Sequence, residues 1–137
     1  MKKEFIHKIK IYYEDTDSGG VVYYANYLKY LERARTEALS NIGLSNTKIK
    51  KDFGTLIIVK SCNIEYKKSA YLEDDLQIKS FVESTSKTSF LMKQSIFKND
   101  DLIVKAKIHL VFINEKSKPV KIPEKILTDF KPYTSSS

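Results

Sequence analysis

Three carboxylates and a glycine pair fall within seven residues near the start of the chain, Glu14-Asp15-Thr16-Asp17-Ser18-Gly19-Gly20. A carboxylate can attack an electrophilic carbon or take a proton from water. Glycines, lacking a Cβ, let a loop approach a ligand closely. The next residues, Val21-Val22-Tyr23-Tyr24-Ala25-Asn26-Tyr27, lead into a helical pattern. There Tyr24, Tyr27, Leu28, Leu31, Arg35, Ala38 and Ile42 recur every three or four positions, and all but Arg35 would form one apolar stripe. A helix beginning here brings the partial positive charge of its unpaired N-terminal N–H groups close to Asp17. The same acids are also common turn formers and helix-start residues, so residue type alone leaves a purely structural loop open. A calcium loop starting at Asp15 fails, because Gly19 and Asn26 occupy positions that need oxygen ligands. No histidine or cysteine cluster supports zinc.

The elements that must position this loop follow from periodicity. Phe5, His7, Ile9, Ile11 and Tyr13 alternate with Ile6, Lys8, Lys10 and Tyr12, the pattern of a half-buried strand, with His7 as a structural residue on its apolar face. Gly43 suits the left-handed turn that stops the long helix. Residues 45–54 read as a helical turn and a loop. A strand from about Leu56 alternates Cys62, Ile64 and Tyr66 with polar neighbours, which makes Cys62 small core filler. Further strands span Leu76–Glu83 and Phe90–Phe97, and Lys98-Asn99-Asp100-Asp101 is a tight hairpin. The last strand places Leu102, Val104, Ala106, Ile108, Leu110 and Phe112 on one face. Its other face, with His109, Val111 and Ile113, is apolar enough to suggest contact with another subunit. Pro119, Pro123 and Pro132 argue against a further ladder, and 134–137 read as a disordered tail. The expectation is one domain over 1–133: a strand, one long helix, then four sequential antiparallel strands whose core face the helix covers.

Composition sets outer bounds. The chain has 137 residues, 42% hydrophobic and 30% charged, which suits a folded domain. Its formal charge of +7 admits an anionic partner, but the lysines are scattered singly, and no helix or loop concentrates base-contacting arginines, so nucleic acid is not expected. Neither a signal peptide nor a membrane span is legible, and a lone cysteine fits a reducing compartment, so the expected location is cytoplasmic.

Residues 12–23 (Tyr12-Tyr13-Glu14-Asp15-Thr16-Asp17-Ser18-Gly19-Gly20-Val21-Val22-Tyr23), Ala25-Asn26-Tyr27 and Glu32-Arg33-Ala34-Arg35-Thr36-Glu37, together with the element order, resemble the hotdog-fold acyl-CoA thioesterases of the 4-hydroxybenzoyl-CoA thioesterase family, particularly the Tol-Pal-associated branch. A secondary match runs from Tyr66 through Ser69-Ala70 to Asp74-Asp75-Leu76. One departure is Tyr24, where that branch usually has histidine. The resemblance implies an α+β hotdog fold, an antiparallel sheet wrapped around one long central helix. It implies hydrolysis of an acyl-CoA thioester to coenzyme A and a carboxylic acid, fatty acyl favoured and short-chain or aromatic acyl groups left open by Tyr24, with no cofactor beyond the coenzyme A of the substrate. Asp17 would be the working carboxylate and the Tyr24 backbone N–H the donor polarising the carbonyl, with Gly19, Gly20, Val21, Val22, Tyr23, Ala25 and Tyr27 around the substrate. It further implies a homodimer or homotetramer and leaves room for peripheral membrane or acyl-carrier association. The alternative on this fold is a non-catalytic acyl-CoA-binding protein. A hydratase would need a histidine beside the helix, which neither His7 nor His109 supplies.

Overall fold

A computed structural model describes residues 2–135. The strands are β1 (Phe5–Lys10), β2 (Leu56–Tyr66), β3 (Asp75–Thr85), β4 (Ser89–Lys98) and β5 (Asp101–Ile113). The helices are α1 (Asn26–Asn41), α2 (Asn46–Phe53) and α3 (Glu124–Phe130). One sheet runs in the order β1-β3-β4-β5-β2, and every neighbouring pair is antiparallel. The hotdog expectation is met: α1 lies across the inner face of this sheet, closest to β1 and β3.

Side-chain alternation builds the core. Leu76, Ile78 and Val82 of β3, Phe90, Met92 and Ile96 of β4, and Val104, Ala106, Ile108, Leu110 and Phe112 of β5 are buried against the helix. This is the burial pattern expected of strands with one face on a core. The helix face that meets them is Tyr27, Tyr30, Leu31, Ala34 and Ala38. The stripe read from sequence is therefore rotated. Tyr24 precedes α1, and Leu28 is exposed, because Tyr30 and Ala34 share the helix face of Leu31 and Ala38. Gly43 stops α1 as expected, at φ 77, with the Leu44 N–H returning to the Leu39 carbonyl.

Several other expectations are corrected. The strands β2 and β3 are consecutive in sequence but are not neighbours, since β2 pairs with β5 and forms one edge. Cys62 points inward in register with Ile108, yet it is exposed, because no strand lies beyond that edge. Val111 and Ile113 are buried within this chain, as β5 is flanked by β2 and β4. The exposed apolar residues lie one strand further out, at Leu56, Ile58 and Val59. The proline-rich segment forms α3, with Pro123 at its start and Ile126 and Phe130 buried one turn apart. Thr134, expected in the tail, bridges Val82, and the Ser135 N–H donates to the Val82 carbonyl at 2.8 Å. Ser136 and Ser137 lie outside the described residues.

Candidate active site

The loop 15–23 is a small hairpin held to its surroundings by backbone bonds. Thr16 bridges Val22, and Val21 bridges Tyr71. The Val22 N–H donates to the Ala70 carbonyl at 2.9 Å, and the Leu72 N–H to the Gly20 carbonyl at 3.0 Å. Asp17 sits at the bend. Its N–H donates to the Val21 carbonyl, and its own carbonyl accepts from Gly20. Its Oδ1 accepts the N–H groups of Gly19 at 2.9 Å and Val21 at 3.3 Å. The residue is exposed, and Oδ2 has no donor among the described residues. One oxygen thus braces the loop while the other faces outward.

The two glycines have distinct reasons to be there. Gly20 adopts φ 78, a left-handed conformation that side-chain-bearing residues rarely take. A Cβ on Gly19 would lie 3.4 Å from Asp17 Oδ1, at the limit of ordinary contact with the carboxylate.

Loop and helix start are joined through Asp15. Its carbonyl accepts the Tyr23 N–H at 3.1 Å and the Asn26 side-chain amide at 2.8 Å. Its carboxylate accepts the Tyr12 N–H at 2.9 Å. Asn26 and Tyr27 N–H groups close turns onto Tyr23 and Tyr24 carbonyls. Between them, the N–H groups of Tyr24 and Ala25 meet no acceptor among the described residues. No side chain caps α1, so these donors stand at the positive end of a sixteen-residue helix.

The side chains of the remaining site residues divide. Tyr23 and Tyr24 are exposed, with ring centroids 5.1 Å apart. Tyr27 is buried, and its hydroxyl accepts the Ala70 N–H at 3.0 Å. Val22 is also buried. Tyr66, at the end of β2, meets Tyr24 edge-on at 5.9 Å and Tyr27 at 5.8 Å. Together Val22, Tyr24, Tyr27 and Tyr66, with Lys67, Lys68 and Ser69, line a cleft of about 200 Å³. The part of Tyr66, Lys67 and Lys68 in this cleft was not legible in sequence, because they enter it only by the pairing of β2 with β5. Both lysines are partnered at the surface, Lys67 by Glu65 at 2.7 Å and Lys68 by Asp101 at 3.1 Å.

Burial and the nearby carboxylate of Asp15 push the Tyr30 phenol well above its ordinary value, so it stays neutral. Glu32 and Arg33 lie on exposed helix surface. His7 is on β1, and His109 Nε2 is 3.0 Å from the Ser89 hydroxyl on the opposite side of the sheet from α1. Among the described residues no group of three or more His, Cys, Asp or Glu side chains is arranged to hold a metal ion.

Residues 12–130 match the family model described as the thioesterase-like superfamily. The chain is 33% identical over 127 residues to the acyl-CoA thioesterase YbgC of Haemophilus influenzae, covering 92% of this chain and 93% of that one. It is 35% identical over 125 residues to the acyl-CoA thioester hydrolase YbgC of Escherichia coli, covering 90% and 92%. The crystal structure of a probable thioesterase from Bartonella henselae superposes with a TM-score of 0.84 at 31% identity, covering 88% of this chain and 100% of that one. With a family model spanning nearly the whole chain and relatives of that identity along nine-tenths of it, the chain belongs to the thioesterase-like superfamily.

Proposed function

We propose that Asp17 is the working carboxylate of an acyl-CoA thioesterase and that the N–H of Tyr24, seconded by Ala25, stabilises the oxygen of the thioester during attack. Acyl-CoA thioester hydrolysis is the activity in the names of the relatives, and it is the reaction these groups suit. The observation that carries the reading is the pairing of one uncommitted carboxylate oxygen with uncommitted N–H donors, both held by the same hairpin. Attack on the carbonyl carbon, by Asp17 itself or by water that it deprotonates, moves negative charge onto the thioester oxygen. Preorganised N–H donors there contribute about 3 kcal/mol each to the barrier reduction. The thiolate of coenzyme A then leaves. Gly19, Gly20, Val21, Val22, Tyr23, Ala25 and Tyr27 would frame the reacting group, and no cofactor is needed beyond the coenzyme A of the substrate. Fatty acyl groups are favoured as substrates.

Thiol release from a panel of acyl-CoAs, with Asp17→Asn beside the natural protein, tests this. Asparagine keeps an Oδ1 that can accept the Gly19 and Val21 N–H groups, so the loop is retained while the charge is lost. A fall in kcat of at least ~10²-fold is expected. Equal activity in the variant would remove Asp17 from the mechanism.

The chain is proposed to act as one hotdog domain assembled into a homodimer or homotetramer in the cytoplasm. The support is the exposed edge of β2, where Val59 and Tyr66 are more than two-fifths exposed, the strand pairing with β5 alone and interrupted by a bulge at Lys60. On the outer face of the sheet Lys79, Lys93, Lys105 and Lys107 share one side, with Glu83 pairing Lys93 at 3.7 Å and Lys107 at 3.3 Å. That face is suited to an anionic membrane or an acidic acyl carrier. Among the described residues no helix is long and apolar enough to cross a membrane.

A further inference from the structure

A second cavity, of about 190 Å³, lies under the C-terminal half of α1. Phe5, Phe90, Met92, Leu110 and Phe130 make its lining apolar, and Arg35 stands in its wall. Arg35 is half-buried. Its Nη1 donates to Gln94 Oε1 at 2.9 Å. Gln94 is fully buried, and its amide nitrogen donates to the Leu31 carbonyl at 3.0 Å and to the Ser80 hydroxyl at 3.1 Å. The guanidinium is therefore held in place by a neutral side chain that is itself fixed on helix and sheet. Among the described residues no carboxylate comes within ion-pairing distance of it. Glu32, which borders the same cavity, is exposed and makes no such pair. Burial lowers the Arg35 pKa, the nearby charges of Glu32 and Cys62 acting the other way.

A guanidinium partly removed from water, with one neutral partner and remaining donors beside an apolar space, is a charge awaiting an acceptor. From Asn26 to Arg35 the helix rises about 14 Å. Tyr66 at the end of β2 meets Tyr24 and Tyr27 at the helix start, and Ile57 and Val59 of the same strand line the cavity. This is within the reach of an acyl chain whose thioester lies at the helix start. We propose that this cavity receives the acyl group and that Arg35 selects chains carrying a carboxylate at the end remote from the thioester. The ligand class is thus a dicarboxylic acid esterified to coenzyme A at one end. This inference rests on the thioesterase reading above.

The test compares kcat/KM for pairs of acyl-CoAs of equal length, plain alkyl against terminal carboxyalkyl, from about C6 to C12. The natural protein, Arg35→Met and Arg35→Lys would be measured. At one length or more the natural protein is expected to prefer the carboxyalkyl substrate by about tenfold, the scale of one charge-assisted hydrogen bond. Arg35→Met should abolish that preference, bringing the ratio of the two kcat/KM values to about one, and Arg35→Lys should keep part of it. Equal use of both members at every length, or an equal loss on both in Arg35→Met, would overturn the assignment. Should Arg35→Met not fold, thermal shifts of the natural protein by free dicarboxylic and monocarboxylic acids of one length decide it. A larger shift with the dicarboxylic acid supports the proposal, and equal shifts overturn it. Absence of thiol release from every acyl-CoA would instead defeat the underlying thioesterase reading.

Discussion

At the scale of single residues, the two carboxylate oxygens of Asp17 are in different surroundings. Oδ1 holds the bend through Gly19 and Val21, while Oδ2 faces outward. Asp17→Ala should therefore lower both activity and the thermal midpoint, whereas Asp17→Asn should lower activity alone, a contrast read by thiol release and calorimetry on the same samples. At Gly20, φ 78 leaves no neighbour within 4 Å of an added Cβ, so the cost of Gly20→Ala is conformational. A destabilisation of about 1 kcal/mol is expected, together with a kcat loss exceeding that of a surface Gly→Ala change, because the bend carries the carboxylate. Tyr30 is an acid whose pKa is raised on folding. Its contribution is whole below pH 10, the ordinary phenol value, and fades as pH rises from there towards the folded value, because the unfolded chain releases the proton first. Urea denaturation from pH 8 to 11 should show a decline in stability above pH 10 that is smaller in Tyr30→Phe. A decline of the same size in both proteins would assign it to other groups.

At the scale of elements, α1 couples three functions through its sequence. Its uncapped N-terminus follows directly on the loop, its Tyr27–Ala38 stripe seals the core, and Arg35 reaches across to Gln94 on β4. The short α3 is the element that the sequence hid best, yet its Phe130 packs 5.0 Å from the ring of Phe90 and closes the end of the core. Phe130→Ala should cost about 3–5 kcal/mol by the cavity it leaves, measurable as a lower urea midpoint at unchanged slope. The signals for α3 were present, with Pro123 followed by Glu124 and apolar residues at Ile126 and Phe130. Seven residues is too short a run for periodicity to outweigh three prolines read as ladder breakers.

At the scale of the whole molecule, the proposed assembly rests on the exposed edge of β2. An edge strand with exposed Ile58 and Val59 and open backbone groups is a template for a second copy. A charge placed there, Val59→Lys, should convert the oligomer to monomer in analytical ultracentrifugation while leaving the circular dichroism spectrum unchanged. A single species of unaltered mass would show that β2 is not the contact. Tyr66, on the same strand, meets Tyr24 at the proposed site, so a monomeric variant is also expected to lose thioesterase activity.

The sequence by itself determined the five strands, the long helix and the acidic glycine loop. Strand and helix periods are local properties of side-chain direction, and the spacing from Asp17 through Gly20 to Tyr24 is a contiguous motif whose geometry follows from bonds between near neighbours. Residue pairs distant in sequence were decided only by tertiary structure. That β2 joins β5 at an edge set Cys62 and Val59 in the open and brought Tyr66 and Lys67 to Tyr24. The rotation of α1 over β1 and β3 put Tyr30 rather than Leu28 in the core. The contact of Arg35 with Gln94, 59 residues away, has no local signature. Alternation reports which face of a strand is apolar, but it carries no information on which strand lies beside it. Neighbour choice is settled by the packing of the whole sheet against the helix.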